Sequence, residues 1–321
     1  ITLTSWGLLV RSQPCPPYVI YIVIEFFLNI IFKYIYMKIL FTGSSSFTGY
    51  HFIKCLVKDG HDLTITFSKN KNFYLKQKNN RSERVKDLIK NYDCNFNVDF
   101  SNEKSINFLK KISSIDVFCH HFADPSNYKS NKYDLYNALE NNTKILDESI
   151  KILKGKGLKD YIYTGSYFEP AEEFSLNYNS FSSYGLSKSL TGQIIRHYCH
   201  NHSVNYKKFI IPNPFGELED ENRLTTFVAK QWIDKKIFVI QQPAYLRDNI
   251  PIKILSKRYS YFIKGRKLKL DSPSFYRLSN LDFIALFSKE MKKRSNLKCE
   301  FNFINSPKYT EPMKKFNDNR L

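Results

Sequence analysis

MKILFTGSSSFTGY, residues 37–50, decides the fold of this chain. A short apolar run ends in a Gly/Ser turn, and an amphipathic segment over Tyr50–Lys58 follows. Such a turn presents backbone N–H groups at a helix N-terminus, where the helix dipole favours an anion. Gly43 allows the tight turn, Gly49 allows close packing of helix on strand, and Ser46 replaces the middle glycine of the dinucleotide fingerprint. We therefore expect a cofactor-phosphate site rather than an ordinary turn, formed by Thr42, Gly43, Ser45, Ser46, Phe47, Thr48 and Gly49.

Strand-like and helix-like segments alternate from Met37 onward. The expected strands are Lys38–Phe41, Leu63–Phe67, Phe96–Phe100, Asp116–His120, Tyr161–Thr164 and Tyr206–Ile211. The expected helices are Tyr50–Lys58, Val85–Asn91, 102–112, 131–154 and 183–201, and the polar residues 68–84 are expected to form a loop. This alternation predicts an α/β fold with a parallel sheet covered on both faces. The pattern breaks up from residue 213, so we expect one domain over 37–212 and a smaller substrate-binding region over 213–321.

Composition limits the functional classes. The 321 residues are 42% hydrophobic and contain 11 Gly and 12 Pro, which excludes disordered and collagen-like chains. The net charge of +19 suggests a nucleic-acid partner, but the chain has no run of five basic residues, and compositional bias explains the Lys excess as well. The six cysteines include no CxxC pair and no zinc spacing, so we expect no metal site and a reducing, cytoplasmic location.

Residues 1–36 differ in character from the rest of the chain. The chain opens at Ile1, and its first methionine, Met37, begins the first expected strand. The apolar stretch over residues 18–32 is shorter than the ~20 residues of a membrane-spanning helix, and it carries Glu25. We expect an upstream extension that is not part of the native fold. A membrane anchor over 18–32 is the alternative.

The end of the second expected strand bears on cofactor choice. An Asp or Glu there would bind a ribose 2′-hydroxyl, but this chain has Ser68 and Lys69 after Phe67. A hydroxyl and an ammonium suit a 2′-phosphate better, so the sequence favours NADP over NAD. Asp99, at the end of the third expected strand, could accept from the adenine amino group or cap the following helix.

Tyr184 and Lys188 are predicted to lie on one face of a helix. A tyrosine can exchange the proton of a carbinol near neutral pH only if a nearby cation lowers its pKa, and Lys188 can supply that charge. The YxxxK spacing alone recurs, as at Tyr50 and Lys54. Here Ser166 lies 18 residues upstream, at the end of an expected strand, where it could polarise the substrate oxygen. We therefore expect Ser166, Tyr184 and Lys188 to be catalytic.

In several ordered stretches the chain resembles the extended short-chain dehydrogenase/reductase superfamily, in its NAD-dependent epimerase/dehydratase branch. The matching stretches are MKILFTGSSSFTGYHFIKCLVKDGHDL, DVFCHHFAD, YIYTGSYFEP, YGLSK, IPNPFGELEDENR and RDNIPIKIL. The resemblance implies a Rossmann-type doubly wound sheet with a small C-terminal substrate-binding cap, bound NAD or NADP, and a nucleotide-sugar substrate. It further implies a homodimer.

Further site residues follow from this resemblance. Ser68, Lys69 and Asp99 are expected to bind the cofactor because of their positions at strand ends, and the resemblance adds Phe100, Phe122, Ala123, Pro212 and Asn213. The expected substrate-binding residues are Asn213, Phe215, Arg223 and Arg247. Two departures from the family pattern matter. His121-Phe122-Ala123 replaces a smaller apolar run in the nicotinamide wall, and Tyr167-Phe168 replaces the Asp-Glu pair of sugar 4,6-dehydratases. The second departure disfavours dehydration relative to epimerisation or carbonyl reduction.

Two other functions stay open on the sequence alone. One is an NADPH-dependent carbonyl reductase of the same fold. The other is a non-catalytic Rossmann protein that senses the cofactor or binds RNA through a basic face.

Overall fold

The computed structural model describes residues 36–123, 133–169, 182–265, 267–274, 277–305 and 311–317. The expected extension lies outside this part of the chain apart from Tyr36, and so does the apolar stretch 18–32. Residues 37–321 cluster as one compact unit. In the ranges given above, no helix combines the length and the apolar character of a membrane span.

Strands and helices alternate through the first two thirds of this unit. The strands are β1 (Lys38–Phe41), β2 (Asp62–Thr66), β3 (Cys94–Asn95), β4 (Val117–His120), β5 (Asp160–Ser166), β6 (Asn205–Ile211), β7 (Asn213–Phe215), β8 (Phe238–Ile240), β9 (Leu246–Pro251), β10 (Leu270–Asp271), β11 (Arg277–Ser279), β12 (Phe301–Phe303) and β13 (Lys314–Lys315). The helices are α1 (Phe47–Lys58), α2 (Lys71–Leu75), α3 (Asn80–Asn91), α4 (Lys104–Lys111), α5 (Leu135–Thr143), α6 (Leu146–Gly155), α7 (Ser183–Asn201), α8 (Leu224–Ile233), α9 (Ile252–Lys264) and α10 (Asn280–Arg294).

The central sheet has seven parallel strands in the order β3-β2-β1-β4-β5-β6-β10. Its first six strands follow the order of a doubly wound dinucleotide-binding sheet, so the predicted Rossmann-type fold is confirmed. Leu40, Phe118 and Tyr161 belong to a core cluster that also contains buried residues of α4, α6 and α7. Aromatic packing joins α1 to α9, where the rings of Phe52 and Tyr259 stack at 4.0 Å.

The predicted loop over 68–84 contains two helices, α2 and the start of α3. Both begin with an asparagine N-cap: Asn70 accepts from the Phe73 amide, and Asn79 accepts from the Ser82 amide. The loop prediction was wrong because these asparagines, which we took as loop-forming residues, stabilise helix ends instead.

Two further element predictions need correction. The predicted strand Phe96–Phe100 does not form: β3 ends at Asn95, and Asn97 adopts a left-handed backbone with φ +61°. The predicted helix over 131–154 is instead α5 and α6, which are separated at Lys144 and Ile145, while residues 131 and 132 lie outside the described ranges.

The residues after 212 form a small mixed sheet around β9, which pairs with β7, β11 and β13. A second small core, with Val228, Phe283 and Ile284, underlies α8 and α10. However, β10 returns to pair with β6 in the central sheet. The central sheet therefore includes a strand from beyond residue 212. That residues 213–321 form a substrate-binding region stays a prediction.

Candidate active site

A cavity of about 340 Å³ lies at the carboxyl ends of the central strands, where a doubly wound sheet binds its ligands. Residues that follow β1, β4, β5 and β6 line it together with the start of α7. Nine of the residues predicted from the sequence are among them: Ser46, Phe47, Thr48, Ala123, Ser166, Tyr184, Lys188, Pro212 and Arg223.

The turn between β1 and α1 needs both of its glycines. Gly43 has φ +70°, and a Cβ there would lie 2.7 Å from the carbonyl oxygen of His121. A Cβ on Gly49 would meet the carbonyl oxygen of Gly43. Thr42 fixes the start of the turn, because its Oγ1 donates to the Cys119 carbonyl at 3.0 Å and accepts from the His121 amide at 3.0 Å.

Ser46 takes the place of the missing middle glycine without disrupting this turn. Its Oγ donates to the Gly43 carbonyl at 2.8 Å and accepts from the Gly49 amide at 3.0 Å. Ser46 is therefore the N-cap of α1. The amides of Phe47 and Thr48 lie in the first helical turn, where no intrahelical acceptor exists, and both residues line the cavity. This cradle fits the diphosphate of a dinucleotide.

His121 connects the glycine turn to β5. One ring nitrogen lies 2.9 Å from the Thr48 Oγ1, and the other lies 2.9 Å from the Thr164 Oγ1. Burial, helped by the charge of Lys188, lowers the pKa of His121 to about 3, so its ring is neutral at physiological pH. The sequence prediction placed His121 in the nicotinamide wall but not among the site residues, because the partners of its ring are distant in sequence.

Lys188 extends from α7 toward the end of β5. Its Nζ donates to the Thr164 carbonyl at 2.7 Å and lies 4.3 Å from the ring centroid of Tyr163. Burial lowers the pKa of Lys188 to about 8. Tyr184 precedes it by one helical turn, and its ring packs edge-on against Tyr133 and Phe168.

Ser166 ends β5, and Glu169 holds its main chain on both sides. The Glu169 Oε1 accepts from the Ser166 amide at 2.8 Å, and the Glu169 amide donates to the Ser166 carbonyl at 2.9 Å. The Glu169 side chain is fully buried, and its Oε2 accepts from the Nζ of Lys208 at 2.6 Å. This pair was not predicted from the sequence, because its members are 39 residues apart.

The predicted adenosine end of the cofactor site contains an arginine that the sequence prediction missed. Lys69 forms an ion pair with Asp99 at 3.2 Å, and the Ser68 hydroxyl lies 3.4 Å from that of Tyr74. Arg81 donates from Nε and Nη2 to the Oγ of Ser45, at 3.1 and 2.9 Å. The guanidinium of Arg81 also lies over the Tyr74 ring, at 5.2 Å from its centroid.

Asp99 combines this ion pair with local hydrogen bonds. Although burial acts to raise its pKa, hydrogen bonds from Ser101 and Lys69 hold the pKa below its ordinary value. The carboxylate therefore stays charged, and it neutralises the cation that was predicted to bind a 2′-phosphate.

Several residues that were predicted to bind cofactor or substrate do not line this cavity. Phe100 and Phe122 stack on each other at 5.8 Å, and Phe215 packs on Phe283 at 5.3 Å. Arg247 donates to the carboxylate of Glu311 at 3.1 Å, within the C-terminal segment. These roles stay predictions.

Asn213 connects to the cavity through Arg223. The Nη2 of Arg223 donates to the Asn213 Oδ1 at 2.8 Å, and Asn213 in turn donates from Nδ2 to the Oδ1 of Asn249 at 2.5 Å. Because Arg223 itself lines the cavity, this network fixes a cation at the wall.

The loop after β7 reaches the glycine turn through Arg84, which is fully buried. Arg84 donates to the Ser45 carbonyl at 3.1 Å, to the Leu218 carbonyl at 2.6 Å and to the carboxylate of Asp220 at 2.7 Å. Asp220 lines the cavity. Neither residue was predicted, since only the tertiary fold brings α3 to this loop.

A second cavity of about 570 Å³ lies between α8 and β8. Asn222 and Leu224 line it, and they flank Arg223, which lines the first cavity. Amide side chains and apolar groups share its wall: Asn222, Leu224, Phe227, Gln231, Ile237, Phe238, Val239, Ile240, Gln241, Gln242, Asn280 and Ile284. Across the described residues, no group of three His, Cys, Asp or Glu side chains could hold a metal ion.

Comparisons with solved structures agree with this architecture. UDP-glucuronic acid 4-epimerase from Bacillus cereus, in complex with UDP-glucuronic acid and NAD, has a TM-score of 0.69 at 20% identity, over 88% of this chain and 90% of that one. UDP-glucose 4-epimerase from Thermotoga maritima, with UDP-glucose, has a TM-score of 0.66 at 17% identity, over 88% and 90%. dTDP-glucose 4,6-dehydratase from Streptomyces venezuelae, with NAD bound, has a TM-score of 0.65 at 14% identity, over 88% of both chains.

These likenesses establish the fold. No curated protein matches the chain in sequence. The model of the NAD dependent epimerase/dehydratase family matches residues 39–250. This range begins in β1, includes the glycine turn, Ser166, Tyr184 and Lys188, and ends in β9. The chain therefore belongs to the NAD-dependent epimerase/dehydratase family.

Proposed function

We propose that this protein is a nicotinamide-dependent enzyme that epimerises a nucleotide-sugar, with Ser166, Tyr184 and Lys188 as its catalytic residues. The observation that carries the proposal is that all three side chains line the same cavity as the first turn of α1. A dinucleotide held at that turn would extend toward these three residues.

The proton chemistry follows from the three side chains. Tyr184 would take the hydroxyl proton of the sugar on its Oη and return it in the reverse direction. The buried ammonium of Lys188 would lower the pKa of this phenol by stabilising the phenolate. Ser166 would donate a hydrogen bond from its Oγ to the reacting oxygen and so orient it.

The bound nicotinamide ring would accept and donate the hydride. In an epimerase the hydride returns to the opposite face of the same sugar carbon, so no net oxidation occurs. In the alternative, a carbonyl reductase, each turnover leaves the cofactor oxidised. Absorbance at the reduced-nicotinamide band distinguishes the two: stoichiometric loss of NADPH with a nucleotide-sugar would overturn the epimerase proposal.

The Tyr184→Phe variant tests the catalytic assignment. Loss of the phenol hydroxyl should lower kcat by about 10² to 10⁴, because no other group in the proposal carries the proton. Tyr50→Phe is a matched control: Tyr50 has the same spacing to Lys54, but its hydroxyl donates to Asp87 at 2.8 Å. A Tyr184→Phe enzyme with wild-type turnover would sink the assignment.

We place the base of the nucleotide-sugar in the second cavity. The amides of Gln231, Gln241 and Asn280 offer both donors and acceptors, which a pyrimidine base edge requires. Apolar groups such as Phe227 and Ile240 offer a face for the ring. The diphosphate would then lie beside Arg223, whose positive charge suits it, and the sugar would reach the first cavity.

For the cofactor, we propose a preference for NADP that depends on Arg81. Lys69 already neutralises Asp99, whereas the Arg81 side chain, within the part of the chain that the structure describes, donates its hydrogen bonds to the Ser45 hydroxyl. A guanidinium stacked on an aromatic ring and free of a carboxylate suits a 2′-phosphate. The similar structures from Bacillus cereus and Streptomyces venezuelae contain NAD. The proposed preference for NADP therefore rests on Arg81 of this chain.

Binding of reduced cofactor, followed by its fluorescence, tests this preference. Arg81→Ala should raise the Kd for NADPH about 10- to 100-fold and leave the Kd for NADH nearly unchanged. Lys69→Ala should have the smaller effect, because that ammonium is paired with Asp99. Equal affinity of the wild-type protein for NADH and NADPH would contradict the proposal.

A further inference from the structure

The carboxylate of Glu169 lies behind Ser166 and outside the cavity lining. It is fully buried, although carboxylates are rarely buried without a specific partner. Its two oxygens have separate partners: Oε1 accepts from the Ser166 amide, and Oε2 accepts from Lys208. No reaction step proposed above uses this ion pair.

Gly165 makes the ion pair sterically feasible. A Cβ at Gly165 would lie 2.8 Å from the Cε of Lys208 and 3.0 Å from the Oε1 of Glu169. Lys208 lies on β6, in register with Tyr163 of β5, and its side chain reaches past Gly165 to the carboxylate. Gly165, Glu169 and Lys208 therefore form one interdependent unit directly under the catalytic end of β5.

We infer that Glu169 is a positioning residue, which fixes the main chain of Ser166 and places a buried negative charge behind the strand that Lys188 contacts. This inference rests on the proposed function of Ser166 and Lys188. The Ser166 amide and carbonyl are both bonded to Glu169, so the direction of the Ser166 side chain depends on this residue. The side chain of Lys188 contacts the same strand one residue before Gly165, at the Thr164 carbonyl.

The charges around Lys188 set the sign of each effect. His120 at the end of β4 and His121 directly after it have pKa values lowered by burial and are neutral. Tyr163 contributes its ring, and Tyr184 lies one turn before Lys188 on α7. Among the described residues, the charges that act on Lys188 are those of Glu169, which raises the pKa of Lys188, and Lys208, which lowers it. Removal of the Glu169 charge should therefore lower the pKa of Lys188, and removal of the Lys208 charge should raise it.

The test is an NMR titration of ¹³Cε-lysine in the full-length protein, with the Lys188 signal assigned by its loss in Lys188→Met. In Glu169→Gln, which keeps an acceptor for the Ser166 amide, the midpoint should fall by about one pH unit. In Lys208→Met it should rise by a similar amount. The double variant, which leaves neither charge buried alone, should return toward the wild-type midpoint.

Opposite shifts cannot arise from a general loss of packing, which would move both variants alike. Midpoints that are unchanged, or that move in the same direction, would overturn the inference. If Glu169→Gln does not fold, Lys208→Met and the double variant still give the predicted rise and return.

Turnover supplies the second readout. Glu169→Ala removes the acceptor for the Ser166 amide, so we expect kcat to fall at least about tenfold with KM unchanged, and Glu169→Gln to recover most of that loss at a pH below its Lys188 midpoint. A change in KM alone would contradict positioning. Because the titration needs neither substrate nor cofactor, it can fail while the proposed function holds, and the reverse is also true.

Discussion

Ser46 forms two hydrogen bonds that a glycine could not make. Its hydroxyl accepts from the Gly49 amide and donates to the Gly43 carbonyl, so the turn keeps its shape without the middle glycine. The amides of Phe47 and Thr48 remain for an anion. The substitution therefore leaves these amides available, with the serine acting as a helix cap.

Residue order and spacing predicted Ser166, Tyr184 and Lys188 as one site, and the structure brings the three residues to one cavity, while their catalytic role stays a proposal. Arg81 and Glu169 could not be predicted in this way. Glu169 gains its position from Lys208 on another strand, and Arg81 gains its position from Ser45, 36 residues earlier. Such pairs depend on the tertiary fold, and a single sequence carries no signal for them.

His61 gives a prediction at the residue scale. It is buried, and neither of its ring nitrogens has a hydrogen-bond partner in the described structure. Burial first, and the charge of Lys264 second, lower its pKa to about 4. Since the folded pKa lies below the unfolded value of about 6.5, its contribution to stability is complete above pH 6.5 and is lost as the pH falls toward 4.

We expect His61→Leu to reduce the loss of stability between pH 7 and pH 5, and to change the free energy of unfolding at pH 7 by less than about 1.5 kcal/mol. Urea unfolding at both pH values measures this. His200→Leu, at an exposed histidine, is the matched control. Identical pH dependence in His61→Leu and the wild type would refute the prediction.

At the scale of elements, α7 matches its predicted range of 183–201, whereas α2 was missed. Ser182 caps α7, and buried residues recur at helical spacing along its 19 residues, as at Lys188, Gly192, Ile195 and Cys199. In contrast, α2 has only five residues, and lysine and asparagine dominate its surroundings. Helices this short depend on their caps and tertiary contacts more than on periodicity, so composition alone indicated a loop.

The C-terminus of α9 has an unusual cap. Lys207 of β6 is buried, and its Nζ donates to the carbonyls of Phe262, Ile263 and Gly265 at 2.8, 3.2 and 2.9 Å. These are carbonyls that a helix end leaves without intrahelical partners, and a cation there also complements the helix dipole.

We therefore predict that Lys207→Met lowers the free energy of unfolding by about 2–3 kcal/mol. Chemical denaturation measures the loss. The control is Lys269→Met, because Lys269 is exposed and should contribute less than about 0.5 kcal/mol. Equal stability of the two variants would show that the buried cap contributes nothing.

At the scale of the whole molecule, some of the basic side chains that give the +19 net charge are buried and have backbone partners. Arg84, Lys188 and Lys207 are at most 4% exposed, and each donates hydrogen bonds to backbone carbonyls. Compositional bias was the explanation that we set beside a nucleic-acid partner for the lysine excess. These three cations show that basic residues also tie elements of this fold together.

The central sheet needs residues from beyond 212. Helix α9 buries Leu255, Tyr259 and Phe262; Tyr259 packs on Phe52 of α1, and Phe262 packs on Phe209 of β6. Strand β10 completes the edge of the sheet at β6. Burial of three such side chains contributes roughly 5–9 kcal/mol, which is comparable to the whole stability of a domain.

We therefore expect a fragment of residues 37–212 to lack a cooperative thermal transition, while residues 37–321 retain one. Near-ultraviolet circular dichroism with temperature measures both. A fragment 37–212 that unfolds cooperatively would show that the predicted boundary marks an independent folding unit.

The pairing of β10 with β6 also has a consequence for synthesis. Strand β6 ends at Ile211, but its partner begins at Leu270, 59 residues later. At roughly 5–20 residues per second, the ribosome would need about 3 to 12 seconds to make the intervening chain. During that time the hydrogen-bonding edge of β6 is open to other strands, so the nascent chain passes through an interval in which chaperone binding would protect it.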